Sequence, residues 1–338
     1  VIPVSDAVDL EVAGRTVTIT SPDKVFFPTH GETKFDLVRY YVEMGDPVMR
    51  AMADRPVLMQ RFPSGASGSS FFQKRVGDGA PEWLTTTIVS TPNGTTSRAL
   101  VVADLAHLLW AVNLGCLGFH SWPMRASRPE HCDELRIDLD PGPGTTFAMA
   151  QEAAALTKEL LDGLGVRAYL KTTGNRGLHV YVRLEPGHDS VAVRAAAVAV
   201  ARELARRRPD LVTDAWWKEE RGERIFVDFN QNAPHKTVFA PWSVRARAHA
   251  PVSCGLRWEE LGAVHPDELT VRTVPARLAA GGDPWADMDD HPQPLEPFLE
   301  MVRRDQAAGL PDAPWPPVYP KMAGEPPRVA PSRARKPR

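Results

Sequence analysis

Apolar and polar positions alternate with two different periods along this chain, and the switches between them mark its elements. Val8–Ile19 places Leu10, Val12, Val17 and Ile19 on either side of Ala13-Gly14, which predicts two short strands around a tight turn. Lys34–Ala53 changes to roughly helical spacing, with Phe35, Val38, Tyr41, Val42, Val48 and Met52 apolar; Pro47 marks a break or the first turn of a second helix. Val57–Phe62 reads as a strand and Ser64–Ser70 as a loop leading into Phe71-Phe72-Gln73-Lys74. Thr86–Val89 and Arg98–Val102 form a hairpin turned by Pro92-Asn93-Gly94. Asp104–Leu117 reads as an apolar helix with Asp104 at its N-cap. Glu134–Leu139, Arg167–Lys171, Leu178–Leu184 and Arg224–Phe229 follow as strands. Phe147–Leu164 and Asp189–Arg207 are helical, the first closed by Gly163 and Gly165. From Ser253 onward the pattern breaks into short helices and Pro-rich connectors.

Composition narrows the picture in a few places. The 338 residues suffice for one large domain or two lobes, and 43% hydrophobic with 24% charged residues is ordinary for a globular protein. A net charge of -2 gives no bulk argument for nucleic-acid binding, so any such surface must be a local basic patch. Three cysteines, Cys116, Cys132 and Cys254, make no disulfide framework and fit a reducing, cytoplasmic compartment. Val1–Leu10 lacks a signal pattern, and no apolar run approaches the ~20 residues of a membrane helix. Many of the 32 prolines cluster after Pro266, which predicts a surface-wrapping segment over residues 266–320. Residues 321–338 carry a local charge of +5 and read as a flexible basic tail.

The strongest chemical signal is Arg136-Ile137-Asp138-Leu139-Asp140-Pro141-Gly142. On a strand, Leu135, Ile137 and Leu139 would enter the core, while Arg136, Asp138 and Asp140 share the opposite face. Pro141-Gly142 would end the strand and leave the two carboxylates at its tip. Carboxylates that close repel unless a cation lies between them, and oxygen ligands suit Mg²⁺ or Mn²⁺ in phosphoryl transfer. The alternative is two surface aspartates at a strand end. Ile225-Phe226-Val227-Asp228-Phe229 adds a third acid inside an apolar run, whose charge needs either that shared metal or an ion pair with Arg221 or Arg224.

Thr172–His179 is a glycine loop between two strands. Its backbone N–H groups can approach phosphates, with Arg176 to neutralise charge and Thr173 and His179 to donate hydrogen bonds. Lys236-Thr237 and Ser243–Arg247 follow, with Arg245 and Arg247 pointing the same way if extended. Phe71 and Phe72 beside Lys74 could stack on bases, and Lys24 and Lys34 could grip one terminal phosphate. Cys116, His120, His131 and Cys132 lie near one another, but the adjacent His-Cys is poor spacing for a zinc site.

In order along the chain, these motifs resemble the polymerase domain of bacterial ligase D, in the archaeo-eukaryotic primase superfamily. The resemblance runs from about Val8 to Glu260 and is carried by Asp138–Gly142, Gly174–His179, Val227-Asp228 with Gln231-Asn232, Lys236-Thr237, Ala240-Pro241 and Ser243–Arg247. It implies an α+β fold of mixed, mainly antiparallel sheets flanked by helices. A catalytic domain would span residues 1–265, with an N-terminal lobe to about 103 and a catalytic lobe from about 104. The implied activity is metal-dependent, template-directed addition of NTPs or dNTPs in gap filling during DNA repair. Two divalent cations, Mn²⁺ or Mg²⁺, would sit on Asp138, Asp140 and Asp228. His120, Thr173, Arg176, His179, Lys236, Arg245 and Phe72 would contact the nucleotide. Phe71 and Lys74 would contact DNA, while Lys24 and Lys34 would hold the 5′-phosphate beyond a gap or break.

The resemblance further implies a DNA ligase and a Ku-type end-binding protein as partners, and a monomeric, nucleoid-associated protein. Thr173 and Arg176 stand where relatives carry serine and lysine, and Ser21 where they often carry asparagine. No ligase or nuclease domain fits within 338 residues, which suggests a stand-alone version or an excised domain. A de novo primase and a non-catalytic DNA-end binding module are the competing functions, although three acids facing a polyanion would repel it without metal.

Overall fold

Two six-stranded sheets, each built mainly from antiparallel neighbours, carry most of the motifs singled out in the sequence. The computed structural model describes residues 7–91 and 94–316. The N-terminal ribbon pairs β1 (Val8–Val12) with β2 (Arg15–Ile19), and Ala13 and Gly14 take the positive φ that so tight a turn demands. A hairpin of β3 (Val25–Phe27) and β4 (Glu32–Thr33) follows. The Thr33 side chain accepts from the Asp36 N–H and Asp36 accepts from the Thr33 N–H, a reciprocal cap that starts α1 (Lys34–Glu43). In α2 (Gly45–Met52), Pro47 lies in the first turn, where its missing N–H costs no intrahelical bond.

The first sheet begins with β5 (Pro56–Arg61), β6 (Phe71–Gln73), β7 (Thr86–Ser90) and β8 (Thr96–Val101). Asp104 caps α3 (Leu105–Asn113) by accepting from the His107 N–H. The expected helix to Leu117 stops early. Gly115 turns the chain at φ 82°, where a Cβ would meet the Phe62 carbonyl oxygen at 3.0 Å. Cys116–Ser121 then runs as β9, paired with β5 along one edge. Cys116 and Leu117 are apolar and buried, which suits a strand covered on both faces as well as the end of a helix, so periodicity alone does not place this boundary.

The ribbon β10 (Met124–Arg125) and β11 (Arg128–Cys132) leads into β12 (Glu134–Pro141). Then come α4 (Phe147–Gly163), β13 (Tyr169–Thr172), β14 (Leu178–Arg183), α5 (Ser190–Arg207), β15 (Val212–Thr213), β16 (Ile225–Val227), β17 (Val238–Phe239) and β18 (Gly255–Leu256). The sheet orders are β17-β9-β5-β8-β7, with β6 also on β5, and β15-β16-β12-β14-β13-β18. Among the strand pairs of the described residues, β15–β16 is the parallel one. β9 and β17 come from beyond residue 103 and complete the first sheet, so the expected lobe boundary at 103 does not follow the sheets.

One apolar cluster runs through both halves, from Phe26 and Tyr41 to Leu139, Val180 and Phe298. α6 (Val274–Gly281) and α7 (Glu296–Ala307) come late, and α7 packs along α5. Pro92, Asn93 and the basic tail 321–338 lie outside the described residues. Among those described, no helix is long and apolar enough to cross a membrane, and the three cysteines are buried free thiols.

Candidate active site

Strand alternation sets the first two acids. Along β12, Leu135, Ile137 and Leu139 are buried in the core while Asp138 and Asp140 take the other face, with Pro141 at the end. Arg136 shares that face but is itself buried. It pairs with Glu134 at 2.6 Å and donates to the Ser121 and Trp122 carbonyls at 2.9 and 3.0 Å, tying the second sheet to the first.

Asp228 arrives differently from the sequence expectation. β16 ends at Val227, and Asp228 caps the 3-10 turn Phe229–Asn232 instead of sitting inside a strand. Its Oδ1 accepts from the Asn230 N–H at 3.1 Å and its Oδ2 from Gln231 Nε2 at 2.8 Å, while its own N–H donates to the Asp138 carbonyl at 2.9 Å. Arg221 donates to the Ala215 and Trp216 carbonyls and lies 3.5 Å over the Phe226 ring. Arg224 also donates to carbonyls, those of Arg221, Pro209 and Glu220.

The three carboxylates feel one another. Burial pushes Asp138 up to about 6 against the pull of Lys171 and Arg245. Burial and the charges of Asp138 and Asp228 push Asp140 up to about 6, although its side chain reaches the surface. Asp228 is likewise raised to about 6 by burial and Asp138, with Lys236 opposing.

Sheet register builds the wall beside them. Asp138 pairs across with His179 on β14, and His179 with Lys171 on β13, which makes a row Asp138–His179–Lys171. His179 Nε2 lies 3.1 Å from Asp138 Oδ1, and burial first, then Lys171 and Arg245, hold its imidazole neutral. Lys171 is fully buried, donates to Ser253 Oγ at 2.7 Å, and was missed in the sequence. Alternation placed it on a face with Tyr169, but only the register brings it beside His179. Gln231, noted only as part of a motif, holds Asp228 directly.

The glycine loop is shaped more by its own side chain than expected. Thr173 Oγ1 accepts from the Asn175 and Gly177 N–H groups, each at 3.2 Å, and the Thr173 carbonyl accepts from Arg245 Nε at 2.9 Å. Gly174 has φ 68°, and a Cβ there would stand 2.9 Å from Arg245 Cγ, so the arginine lies directly on the loop. Burial lowers Arg245 to about 10, and it packs 3.5 Å over Phe239. Arg176 is exposed and acts on Asp140.

His120, from the first sheet, faces Lys171 and Arg245; burial and those charges push it down to about 3. Its ring meets Phe72 and Phe239 edge-on at 5.4 and 5.2 Å. Phe72 and Phe71 are 57% and 47% exposed, unusual for adjacent large apolar side chains. Phe71 lies under Arg61 instead, at 5.2 Å, and Lys74 acts on His235. Lys24 and Lys34 stand together on the N-terminal hairpin. Lys24 is exposed and donates to the Pro63 carbonyl at 2.6 Å; Lys34 is buried and donates to Thr20 and Asn113 oxygens.

Hard oxygen donors on two neighbouring backbone segments fit divalent cations, and a cation would relieve the burial that raises all three and the like charge that adds to it at Asp140 and Asp228. Asp138 and Asp228 are at present turned to His179 and Gln231, and among the described residues no three ligands converge as a closed cage. His120 Nε2 and His179 Nδ1 are buried without a protein partner, two further polar atoms ready for a ligand.

The sequence profile of the LigD primase-polymerase domain matches residues 33–285, which include all three aspartates, the glycine loop and Arg245. The chain belongs to this family. It is 32% identical over 314 residues to the multifunctional non-homologous end joining DNA repair protein LigD of Mycobacterium tuberculosis, covering 90% of this chain and 41% of that protein. The bifunctional non-homologous end joining protein LigD of Bacillus subtilis is 32% identical over 289 residues, covering 84% of this chain and 46% of the relative. The chain thus spans less than half the length of these relatives. The solved polymerase domain of M. tuberculosis ligase D in complex with DNA superposes with a TM-score of 0.77 at 33% identity, covering 82% of this chain and 99% of that one.

Proposed function

We propose that this domain is a metal-dependent, template-directed polymerase of the primase-polymerase type that adds NTPs or dNTPs to a 3′-hydroxyl at short DNA gaps or ends during repair. The observation that carries the reading is that Asp138, Asp140 and Asp228 lie close enough for Asp140 to feel the charge of both others, beside a wall of neutral imidazoles and cationic groups and inside the segment matched by the family. Mn²⁺ or Mg²⁺ bound there would acidify the attacking hydroxyl and neutralise charge on the departing pyrophosphate. Arg176, Lys236 and Arg245 would hold the triphosphate by charge, and the loop N–H groups and neutral His179 by hydrogen bonds. His120 and Phe72 would bound the incoming base, while Phe71 and Lys74 meet the template strand.

The same reading makes Lys24 the grip for a downstream 5′-phosphate, with Lys34 behind it committed to carbonyl oxygens. The relatives' names point to non-homologous end joining; in this reading the domain works with a DNA ligase and a Ku-type end-binding protein in the bacterial cytoplasm. The test is primer extension on gapped DNA with NTPs or dNTPs and either metal, with and without the downstream phosphate. Extension stimulated by that phosphate, and a loss of the stimulation in Lys24→Glu, is the expected result. Products on an unprimed single strand would favour de novo priming instead, and DNA binding without any product would leave only an end-binding module.

A further inference from the structure

The 3-10 turn that Asp228 caps is held at both of its ends. At one, Asn232 exchanges two hydrogen bonds with the backbone of Arg136, at 2.9 and 2.7 Å. At the other, the side chain of Asn230 is gripped by a device made from α5 and the segment 311–316. Arg194 of α5, only 1% exposed, donates from Nε to Asn230 Oδ1 at 2.8 Å. Its Nη1 donates to Asp312 at 3.1 Å, and its Nη2 donates to the Ala313 and Pro314 carbonyls at 2.8 and 3.2 Å. Asn230 Nδ2 closes the ring by donating to the same Pro314 carbonyl at 3.1 Å. Trp315, 3% exposed, lies 3.9 Å over the guanidinium and donates to Asp312 Oδ2 at 2.7 Å.

We infer that segment 311–316 is a strap that positions Asp228 through Arg194 and Asn230, so that its docking sets the metal affinity of a site far along the chain. The physical argument is short. The Asn230 N–H donates to Asp228 Oδ1, so the place of that backbone amide sets the direction of the carboxylate. Asn230 is 2% exposed, and its side-chain oxygen and nitrogen are both committed to the strap and Arg194. Removing Arg194 leaves the buried Ala313 carbonyl and the Asn230 oxygen without their donor, and this end of the turn loses its hold on α5. Arg194 and Trp315 are positioning residues; neither touches a reacting atom.

The inference rests on the reading of Asp228 as a metal ligand, and the test separates the two. Mn²⁺ binding to the full chain, without nucleotide or DNA, is followed by the electron paramagnetic resonance of free Mn²⁺ for Asp228→Ala, Arg194→Met, Arg194→Lys and Trp315→Ala, beside thermal melts. Asp228→Ala should lose the tight site. Arg194→Met and Trp315→Ala should weaken it by about 10-fold, as for other residues that orient metal ligands, with Arg194→Lys between them and the parent. If Arg194→Met fails to melt cooperatively, Trp315→Ala carries the test, because it keeps the buried guanidinium while loosening the strap that Trp315 clasps to Arg194 and Asp312. Parent-like Mn²⁺ affinity in the strap variants, with affinity lost in Asp228→Ala, makes the strap a fold-holding element only and overturns the inference. Parent-like affinity in Asp228→Ala overturns the metal reading and this inference with it.

Discussion

The two ends of the region around β12 handle buried carboxylates in opposite ways. At its start, Asp133 and Glu134 are enclosed by arginines: Arg55 at 2.7 and 2.9 Å, Arg183 at 3.2 and 3.1 Å, Arg125 at 2.7 Å on Asp133 and Arg136 at 2.6 Å on Glu134. Burial pushes both acids up, but the arginine charges overrule it and hold both below the usual carboxylate range, Asp133 far below. At its end, Asp138 is desolvated without an ion-paired guanidinium, Asp140 is partly desolvated beside two other acids, and both rise to about 6. Arg136, two residues from both Glu134 and Asp138, pairs with Glu134. The difference teaches where counter-charge comes from. An acid whose partner is built into the fold contributes to structure, and one whose partner must be recruited is a binding site.

The sharpest test of that contrast is the pair Asp138→Ala and Asp140→Ala. Together they should reduce metal-dependent extension of a gapped primer by more than about 1000-fold, with DNA binding and the metal-free melting temperature preserved. A melting temperature that falls sharply would show these acids to be structural, like those at the other end. Next in size is Arg55→Met, which leaves Asp133 and Glu134 short of a partner and should cost about 3–5 kcal/mol in denaturant unfolding. Activity per folded molecule should stay at the parent value; a parallel loss of activity and stability would erase the contrast.

The smallest effect is a matter of pH. Asp138 has a folded pKa above its unfolded one, so the metal-free folded state holds more protons between about pH 4 and 6 and loses stability as pH rises through about 6. Asp138→Asn keeps an acceptor for His179 and should therefore stabilise the metal-free protein at pH 7.5 by on the order of 1 kcal/mol. The gain should shrink as pH falls toward 4. Asp133 and Glu134 have depressed values and the opposite sign: their contribution is present above the unfolded carboxylate range and is lost as pH falls through their folded values. Calorimetry from about pH 4 to 8 reads the Asp138 slope, and its extension to more acid solution reads that of Asp133 and Glu134; a gain for Asp138→Asn that grows on acidification contradicts the assignment.

Much of the fold was legible because its elements have clear periods and caps. The ribbon at Ala13-Gly14, the Asp104 cap and the two long helices α4 and α5 lie where the pattern places them. β9 was lost because a strand buried on both faces has no alternation to read, and the helix before it is equally apolar. Asp228 was placed inside a strand because hydrophobicity runs on through Phe229; the turn is made by Asp228's own bond to the Asn230 N–H. At Thr173 two local N–H groups occupy the hydroxyl oxygen as acceptor, a loop-shaping role that residue type alone does not reveal and that leaves its O–H as the donor.

By itself, the sequence determined the family, the acids and the loop, because these depend on residue type and short spacing along one strand or turn. Alternation puts Asp138 beside Asp140 whatever surrounds them. Only the tertiary structure decided which charges are answered. The register that sets Lys171 beside His179, the arginines that gather on Asp133 and Glu134, and the strap that reaches Asn230 from more than eighty residues away join positions remote in sequence. The pKa of a buried carboxylate follows from such neighbours and from desolvation, and neither is a property of the local chain.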